Sequence, residues 1–524
     1  MTLSDIKEFL KVNDAKLRSS FNHYPQEEVR ILINKLYSNL LTQYENETEI
    51  QDEIYLCYFE LLNYYSQAFK SSKTLDILIE EYKKPRISYD LVNRQKVRMV
   101  LVTSRTDLFR FQILKEETSV SEKNNKEFIY YLLAAKKKLS KLYSDFLANE
   151  VELNIGQQIY CLENLGICYA DLSRWFESLY YINLGLVLDP CNINLLYTKA
   201  LVFDRLRDAT CQNYSGQLLF QILKTLEEPL KYTGYPQSQL DLLKKFEKEV
   251  KDELVKYKLN FSDLSKEFNN VEKEKVEVLD YLKFIGMNDL FLSEHSDYCK
   301  CKAGMKDNLQ IKSTHNHTKI SYVESFEVVL ESVKYDFIEA RHKFYQSLDN
   351  IKIKDTHLRL LNPSFDYYAR IKETFLKESF KLCLSIFDTI AIAILEALKI
   401  DYVEIQKTKK YKNRNIYFTN IFDMYIDFER HKRNIYLNTI YSICEDLKEH
   451  NSGHRDLKDI RNSIEHGIFL FQNDTNQKIL FNQTNFKTVS KQVMEEKTKI
   501  LLVLTKSLII SFTYLVRIES KFEV

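Results

Sequence analysis

The residues of this chain best suited to chemistry lie together near its end, in Arg461-Asn462-Ser463-Ile464-Glu465-His466-Gly467. Histidine takes up and releases protons near neutral pH. Arginine is a permanent cation whose planar fork can bind two phosphate oxygens. The pair supplies what metal-free cleavage of an RNA phosphodiester requires: proton transfer, and positive charge where the transition state becomes negative. Leu457, Ile460, Ile464 and Ile468 recur at helical spacing, so one face of this segment is expected to pack inward. Five residues of helix turn through about 140° and rise roughly 7.5 Å. Arg461 and His466 therefore do not share a face of a straight helix, whereas Asn462 and His466 do. Two copies meeting across a symmetric interface would pool two arginines and two histidines in one cleft. The same residues also have ordinary structural readings. Arg461 and Glu465 can form a surface i,i+4 pair, although arginine first is the weaker order. His466 before Gly467 can close a helix C-terminus. In a chain with 10 histidines, spacing alone does not choose between these readings.

The elements that must position these residues are helical throughout. At 524 residues the chain is too long for one ordinary core. With 9 glycines and 6 prolines it has little material for turn-rich β folds or glycine-rich phosphate loops. Residues 5–20, 26–46, 49–70 and 74–84 read as successive amphipathic helices, and residues 87–150 continue in the same way. Lys136-Lys137-Lys138 within them is expected to be a solvated helix face. Then Glu163-Asn164-Leu165-Gly166-Ile167-Cys168-Tyr169, Trp175-Phe176, Ser178, Ile182, Gly185-Leu186 and Asp189-Pro190 follow a tetratricopeptide pattern. A degraded second unit from Asn192 keeps Lys199-Ala200 and Phe203 and fades toward Pro229. Residues 239–284 are heavily charged and read as a connecting helix or helical pair; residues 293–320 are polar and irregular. Helices expected at 322–349, 367–400, 416–449, 455–472 and 489–518 form a four- or five-helix bundle, with 380–398 and 500–516 at its buried centre. The fold is thus expected to be all-α. An N-terminal α-solenoid would comprise a helical region at 1–150 and tetratricopeptide-like repeats at 151–238. A charged connector and polar loop at 239–320 would lead to the bundle at 321–524.

Composition narrows the functional classes. Lysine plus arginine (75) nearly balances aspartate plus glutamate (74), so affinity for nucleic acid must come from local patches. Two basic runs qualify: Lys407, Lys409, Lys410, Lys412 and Arg414 around Tyr411, and Arg430-His431-Lys432-Arg433. Each could follow an RNA backbone without reading sequence, or be a solvated loop and a helix surface. Cys299, Cys301, His315 and His317 offer four zinc-type ligands, but both pairs are spaced more tightly than is usual, and incidental residues of a polar loop are the preferred reading. No other metal or cofactor is expected. The 9 scattered cysteines and a start without an apolar secretion segment suit a reduced, cytoplasmic setting. The apolar stretches 382–400 and 500–518 contain Asp388, Glu396, Lys399, Lys506 and Arg517, so buried helices rather than membrane spans are expected. No Gly-x-Ser-x-Gly, His-Glu-x-x-His or Walker-type loop is present.

The C-terminal segment resembles a HEPN domain, a helical bundle marked by arginine, a polar residue, three variable residues and histidine, here Arg461 to His466. The resemblance extends to Phe380-Lys381-Leu382-Cys383-Leu384-Ser385-Ile386-Phe387-Asp388-Thr389-Ile390-Ala391, similar to the second bundle helix of a HEPN branch that follows tetratricopeptide repeats. Tyr281-Leu282-Lys283-Phe284, Asn288-Asp289-Leu290-Phe291-Leu292 and Ala340-Arg341 resemble that branch's segments before and within the first bundle helix. It covers roughly 150–520. Gly467 stands where a larger residue is commoner, and Thr389 where the branch often has lysine. The resemblance implies a metal-independent endoribonuclease acting as a homodimer through the bundle, with RNA as substrate and a 2′,3′-cyclic phosphate as product. It assigns acid–base work to His466 and charge stabilisation to Arg461; Asn462 is a candidate to orient either group, and Glu465 and Asp388 are candidates either to support the pair or to form structural ion pairs. It also implies a toxin-like role in anti-phage defence. Stacked helix pairs would offer a protein trigger or inhibitor a concave surface at the repeats, and the charges within the apolar stretches leave no membrane partner expected. The alternative is a non-catalytic scaffold that binds RNA or protein.

Overall fold

The computed structural model describes residues 26–43, most of 54–65, 93–117, 126–147, 150–209, 215–231, 237–257, 280–294, 305–311, 320–348, 367–368, 371–407, 416–427, 434–448, 455–472 and 486–521, with a few single positions. Helix dominates these residues, as the periodicity anticipates. They fall into two compact units, residues 1–168 and 169–524, which cut across the four segments drawn from the sequence.

In the first unit, helices α1 (Gln26–Gln43), α2 (Asn93–Glu117) and α3 (Lys126–Leu147) are followed by α4 (Ile155–Asp171), whose last residues already belong to the second unit. Val29, Ile33, Tyr37 and Leu40 line one face of α1 and pack with Ile54, Leu61, Leu62 and Tyr65. Helices α2 and α3 lie side by side. Their seam corrects the expectation of a solvated lysine face. Lys136 is buried, and Lys138 Nζ reaches the buried Asp107 at 2.6 Å. A carboxylate drawn out of water needs a cation, and α3 supplies one.

In the second unit Ser173, in the left-handed region at φ 57°, follows the end of α4 and directs Arg174 inward. Helices α5 (Trp175–Leu188), α6 (Ile193–Ala209), α7 (Ser215–Lys231) and α8 (Gln237–Lys256) pack each against the next, as helical hairpins do. The short α9 (Asp280–Met287) precedes the bundle. The bundle consists of α10 (Ile320–Ser347), α11 (Ile371–Ala397), α14 (Tyr436–Lys448), α15 (Arg455–His466) and α16 (Lys491–Lys521). Phe380, Ile386, Phe387, Ile390 and Ile394 of α11 meet Leu501, Leu508, Phe512 and Leu515 of α16 in its buried centre. Helix α16 is long and apolar enough to cross a membrane by length and composition, yet most of its apolar stretch is buried within the protein. Its interior charges have protein partners: Lys506 Nζ donates to Asp289 O at 2.6 Å, and Arg517 pairs with Glu294.

Two expected helices are interrupted. Between 416 and 449 the chain forms a 3₁₀ turn (Phe418–Asn420) and helices α12 (Tyr402–Lys407) and α13 (Ile421–Met424) flank it, before α14 begins at Tyr436. A local cap and tertiary bonds together override periodicity here. Asn420 Oδ1 accepts from Tyr417 N, Asp388 Oδ1 accepts from Phe418 N, and Asn434 donates to Leu515 O. The expected helix 455–472 ends at His466. Ile468–Gln472 is a strand, β2, antiparallel to β1 (Tyr367–Tyr368) and parallel to β3 (Phe486–Val489). An Ile-Phe-Leu-Phe run suits a pleated, partly buried surface better than one stripe of a helix. Ile468 therefore belongs to the sheet, and β1 likewise replaces the first turn expected at 367.

Arg174 fastens α5 to the bundle. Its fully buried guanidinium binds Glu177 beside it and reaches α14 through Asp446 Oδ2 (2.6 Å) and Ser442 Oγ (3.1 Å). Ser507 of α16 donates to Glu177 from the other side, and Thr439 Oγ1 donates to Leu172 O at 2.7 Å. Burial works to lower the pKa of Arg174, but Glu177 and then Asp446 more than offset it and hold the group charged. Trp175 packs edge-on to Tyr436 in the same seam. Similarly, buried Arg341 of α10 donates to Leu290 O at 2.7 Å and pairs with Asp307, gathering the segments that precede the bundle.

Candidate active site on the bundle

Helix α15 supplies the arginine–histidine pair. Leu457 and Ile460 are buried on its inner face, Ser463 is buried with its hydroxyl donating to Asp459 O, and Ile464 is half-buried. This inner stripe turns Arg461 toward α11. Arg461 Nη1 lies 3.0 Å from Asp388 Oδ2, and its Nε lies 3.1 Å from Glu465 Oε2. The i,i+4 pair with Glu465 thus exists together with a contact across to a second helix. Asp388 is the fixed partner, because its other oxygen accepts from Phe418 N at 3.1 Å. Glu465 is tied to the arginine from within the same helix and can exchange for an incoming anion with less rearrangement. Burial works to lower the pKa of Arg461, but Asp388 first and Glu465 second more than offset it, raising it above its ordinary value.

The guanidinium stands on the wall of a pocket of about 260 Å³. Leu384, Phe387, Phe418 and Leu447, all buried, form its apolar lining. Asp388, Asn462, Glu465, Thr419 and Tyr417 add polar groups to it. The sequence reading selected Asp388, Arg461, Asn462 and Glu465 but missed Tyr417, Thr419 and Leu447. No local pattern marks those three; they join the site because a 3₁₀ turn and α14 pack beside α11.

His466 is the last residue of α15, and its side chain lies outside the described residues. Its backbone is held from both directions, by the helix before it and by β2, which starts two residues later. Gly467 is therefore the hand-over from helix to strand rather than a weak point within a helix. Lys377 of α11 fastens the start of β2, donating to Phe469 O at 3.0 Å while stacking over the Phe469 and Phe471 rings. Burial lowers the Lys377 pKa, against the opposing charge of Glu373.

Of the first basic run only Lys407 is described: it is exposed at the end of α12 and pairs with Glu404 at 2.9 Å. Lys409, Lys410, Lys412 and Arg414 lie outside the described residues, as do Arg430, Lys432 and Arg433. Cys299, Cys301, His315 and His317 also lie outside them. Among the described residues no group of three or more His, Cys, Asp or Glu could hold a metal ion.

An α-helical bundle that presents an Arg-x₄-His helix beside an acidic residue of a central helix defines a class. Residues 317–519 match the family model of the LA2681-like HEPN domain, so this part of the chain is a HEPN domain. The match starts just before α10 and ends inside α16, so it spans the whole bundle. No curated protein and no solved structure gives a match. HEPN domains are commonly ribonucleases, and some are non-catalytic.

Asp388→Asn offers a direct test of the anchoring geometry. Asparagine can still accept from Phe418 N but no longer offers Arg461 a charge. A charge-assisted hydrogen bond is worth about 1.5–3 kcal/mol. Any turnover that depends on the placement of Arg461 should therefore fall by roughly ten- to a hundredfold. RNA affinity should hold or rise, because one repelling carboxylate has gone. Separate kcat and KM values check the split; a rise in KM with kcat unchanged would count against the anchoring role.

Proposed function

We propose that the protein is a metal-independent endoribonuclease whose active form is a homodimer through the bundle. The observation that carries this reading is Arg461, held on a pocket wall by the fixed carboxylate Asp388, on the helix that ends in His466 of a HEPN domain. His466 takes the proton of a ribose 2′-hydroxyl, whose oxygen attacks the adjacent phosphorus. Arg461 stabilises the charge that builds on the phosphate oxygens. The bond to the 5′-oxygen breaks, and that oxygen leaves with a proton from an imidazole, which gives a 2′,3′-cyclic phosphate and a 5′-hydroxyl. The dimer supplies a second arginine and histidine, because one helix copy sets its own pair about 140° apart. Glu465 yields its place on Arg461 to the phosphate.

Around this core we place a toxin-like effector of anti-phage defence that works in the cytoplasm. Its tetratricopeptide-like helices receive a protein trigger or inhibitor, since stacked helix pairs present a concave surface to partners. A second reading, a non-catalytic RNA- or protein-binding scaffold, draws support from the two carboxylates that already neutralise Arg461. One experiment separates the two. Purified protein incubated with RNA in excess EDTA should give fragments with 2′,3′-cyclic phosphate and 5′-hydroxyl ends, at a rate unchanged by the chelator. RNA bound but left intact, under conditions where the protein is dimeric, selects the scaffold. Cleavage that EDTA stops rejects the metal-independent mechanism.

A further inference from the structure

The pocket beside Arg461 holds more than a phosphate needs. At about 260 Å³ it lies just below the roughly 300–1,000 Å³ of sites that enclose a drug-sized ligand. Its apolar lining has no use for a phosphate, which stays at the cation. Tyr417 contributes to the pocket with 44 % of its surface exposed, on a backbone that neighbouring bonds hold in place: its own N donates to Asn420, and the next residue's N donates to Asp388. Asn462 and Thr419 add an amide and a hydroxyl to the same pocket. An apolar slot, an exposed aromatic on a rigid turn, and adjacent donors and acceptors suit a base that has left its stack.

We infer that this pocket is a nucleobase subsite, in which an unpaired base next to the phosphate on Arg461 stacks on Tyr417 and is read at its edge by Asn462 and Thr419. The inference rests on the proposal that the ligand is RNA and adds that the strand must be single and splayed at the cut. Duplex RNA, with its bases stacked and paired, should be a poor substrate.

The test measures binding apart from cleavage. The four nucleoside 3′-monophosphates and ribose 5-phosphate are titrated into the full-length protein and followed by NMR. At least one nucleotide should bind about five- to a hundredfold more tightly than the sugar phosphate, the range that stacking of one base provides. Tyr417→Leu should abolish that advantage and Tyr417→Phe should keep it, with thermal melting used to confirm that both variants are folded. Equal binding of nucleotides and sugar phosphate, binding of neither, or an advantage that survives Tyr417→Leu would each overturn the subsite. RNA cleavage by the same preparations distinguishes the two ideas. Base-selective binding without cleavage removes the ribonuclease and leaves the subsite. Cleavage with no base advantage does the reverse.

Discussion

Arg461→Ala and His466→Ala should each reduce RNA cleavage by about 100- to 10,000-fold while leaving the bundle folded. A positioned acid–base group contributes on that scale, and so does a preorganised charge facing a transition state. For Arg461 the structure adds a reason that the loss is more than one missing hydrogen bond. Without the guanidinium, Asp388 and Glu465 face the incoming phosphate with no cation between them, so an attractive wall becomes a repelling one. The cost to folding is small, because the arginine side chain is 24 % exposed and Asp388 keeps its bond to Phe418 N. Arg461→Lys should rescue little, since an ammonium cannot hold Asp388 and a phosphate with the geometry of a planar fork. Single-turnover cleavage of end-labelled RNA measures the effect, and a thermal melt of each variant shows whether the fold survives. Wild-type rates in both alanine variants would remove the catalytic assignment altogether.

Arg174→Met should be the most damaging single change to stability in the second unit. It strands Glu177 and Asp446, both buried and both left without their principal cation. Breaking a buried ion pair from one side costs about 3–5 kcal/mol, a large share of a typical folding free energy. The melting temperature should fall by several degrees. Removing all three charges together, with Glu177→Leu and Asp446→Leu added, should recover most of the loss, because an apolar replacement no longer carries the desolvation cost. Calorimetry on the single and the triple variant checks both parts. A triple variant less stable than the single one would mean that the cluster is favourable in itself. The same seam joins an α5 that reads as a repeat to the α14 and α16 of the HEPN bundle, so damage here should also lower the temperature at which RNA cleavage is lost.

Much of the fold could be read along the chain because helical order is local. The stretches 380–398 and 500–516 are apolar enough to be central, and they are. Helices at 322–349 and 489–518 were placed within two or three residues of α10 and α16. The tertiary structure overruled periodicity where side-chain bonds to distant elements fixed the chain. Asp388 accepts from Phe418 N and the Asn434 side chain donates to Leu515 O, and the helix expected from 416 is interrupted between them. Lys136-Lys137-Lys138 failed for a related reason. A charge run reads as solvated unless its counter-ion is known, and Asp107 is some thirty residues away in sequence.

By itself the sequence determined the all-α class and the helix that carries Arg461 and His466. Both follow from periodicity and composition along the chain. The tertiary structure alone decided that Asp388 anchors the arginine, that β2 pins the backbone just beyond His466, and that Tyr417 and Leu447 complete a pocket beside them. Those facts depend on which helices lie side by side. Packing brings residues 388, 417, 447 and 461 to one place, and no local pattern records it.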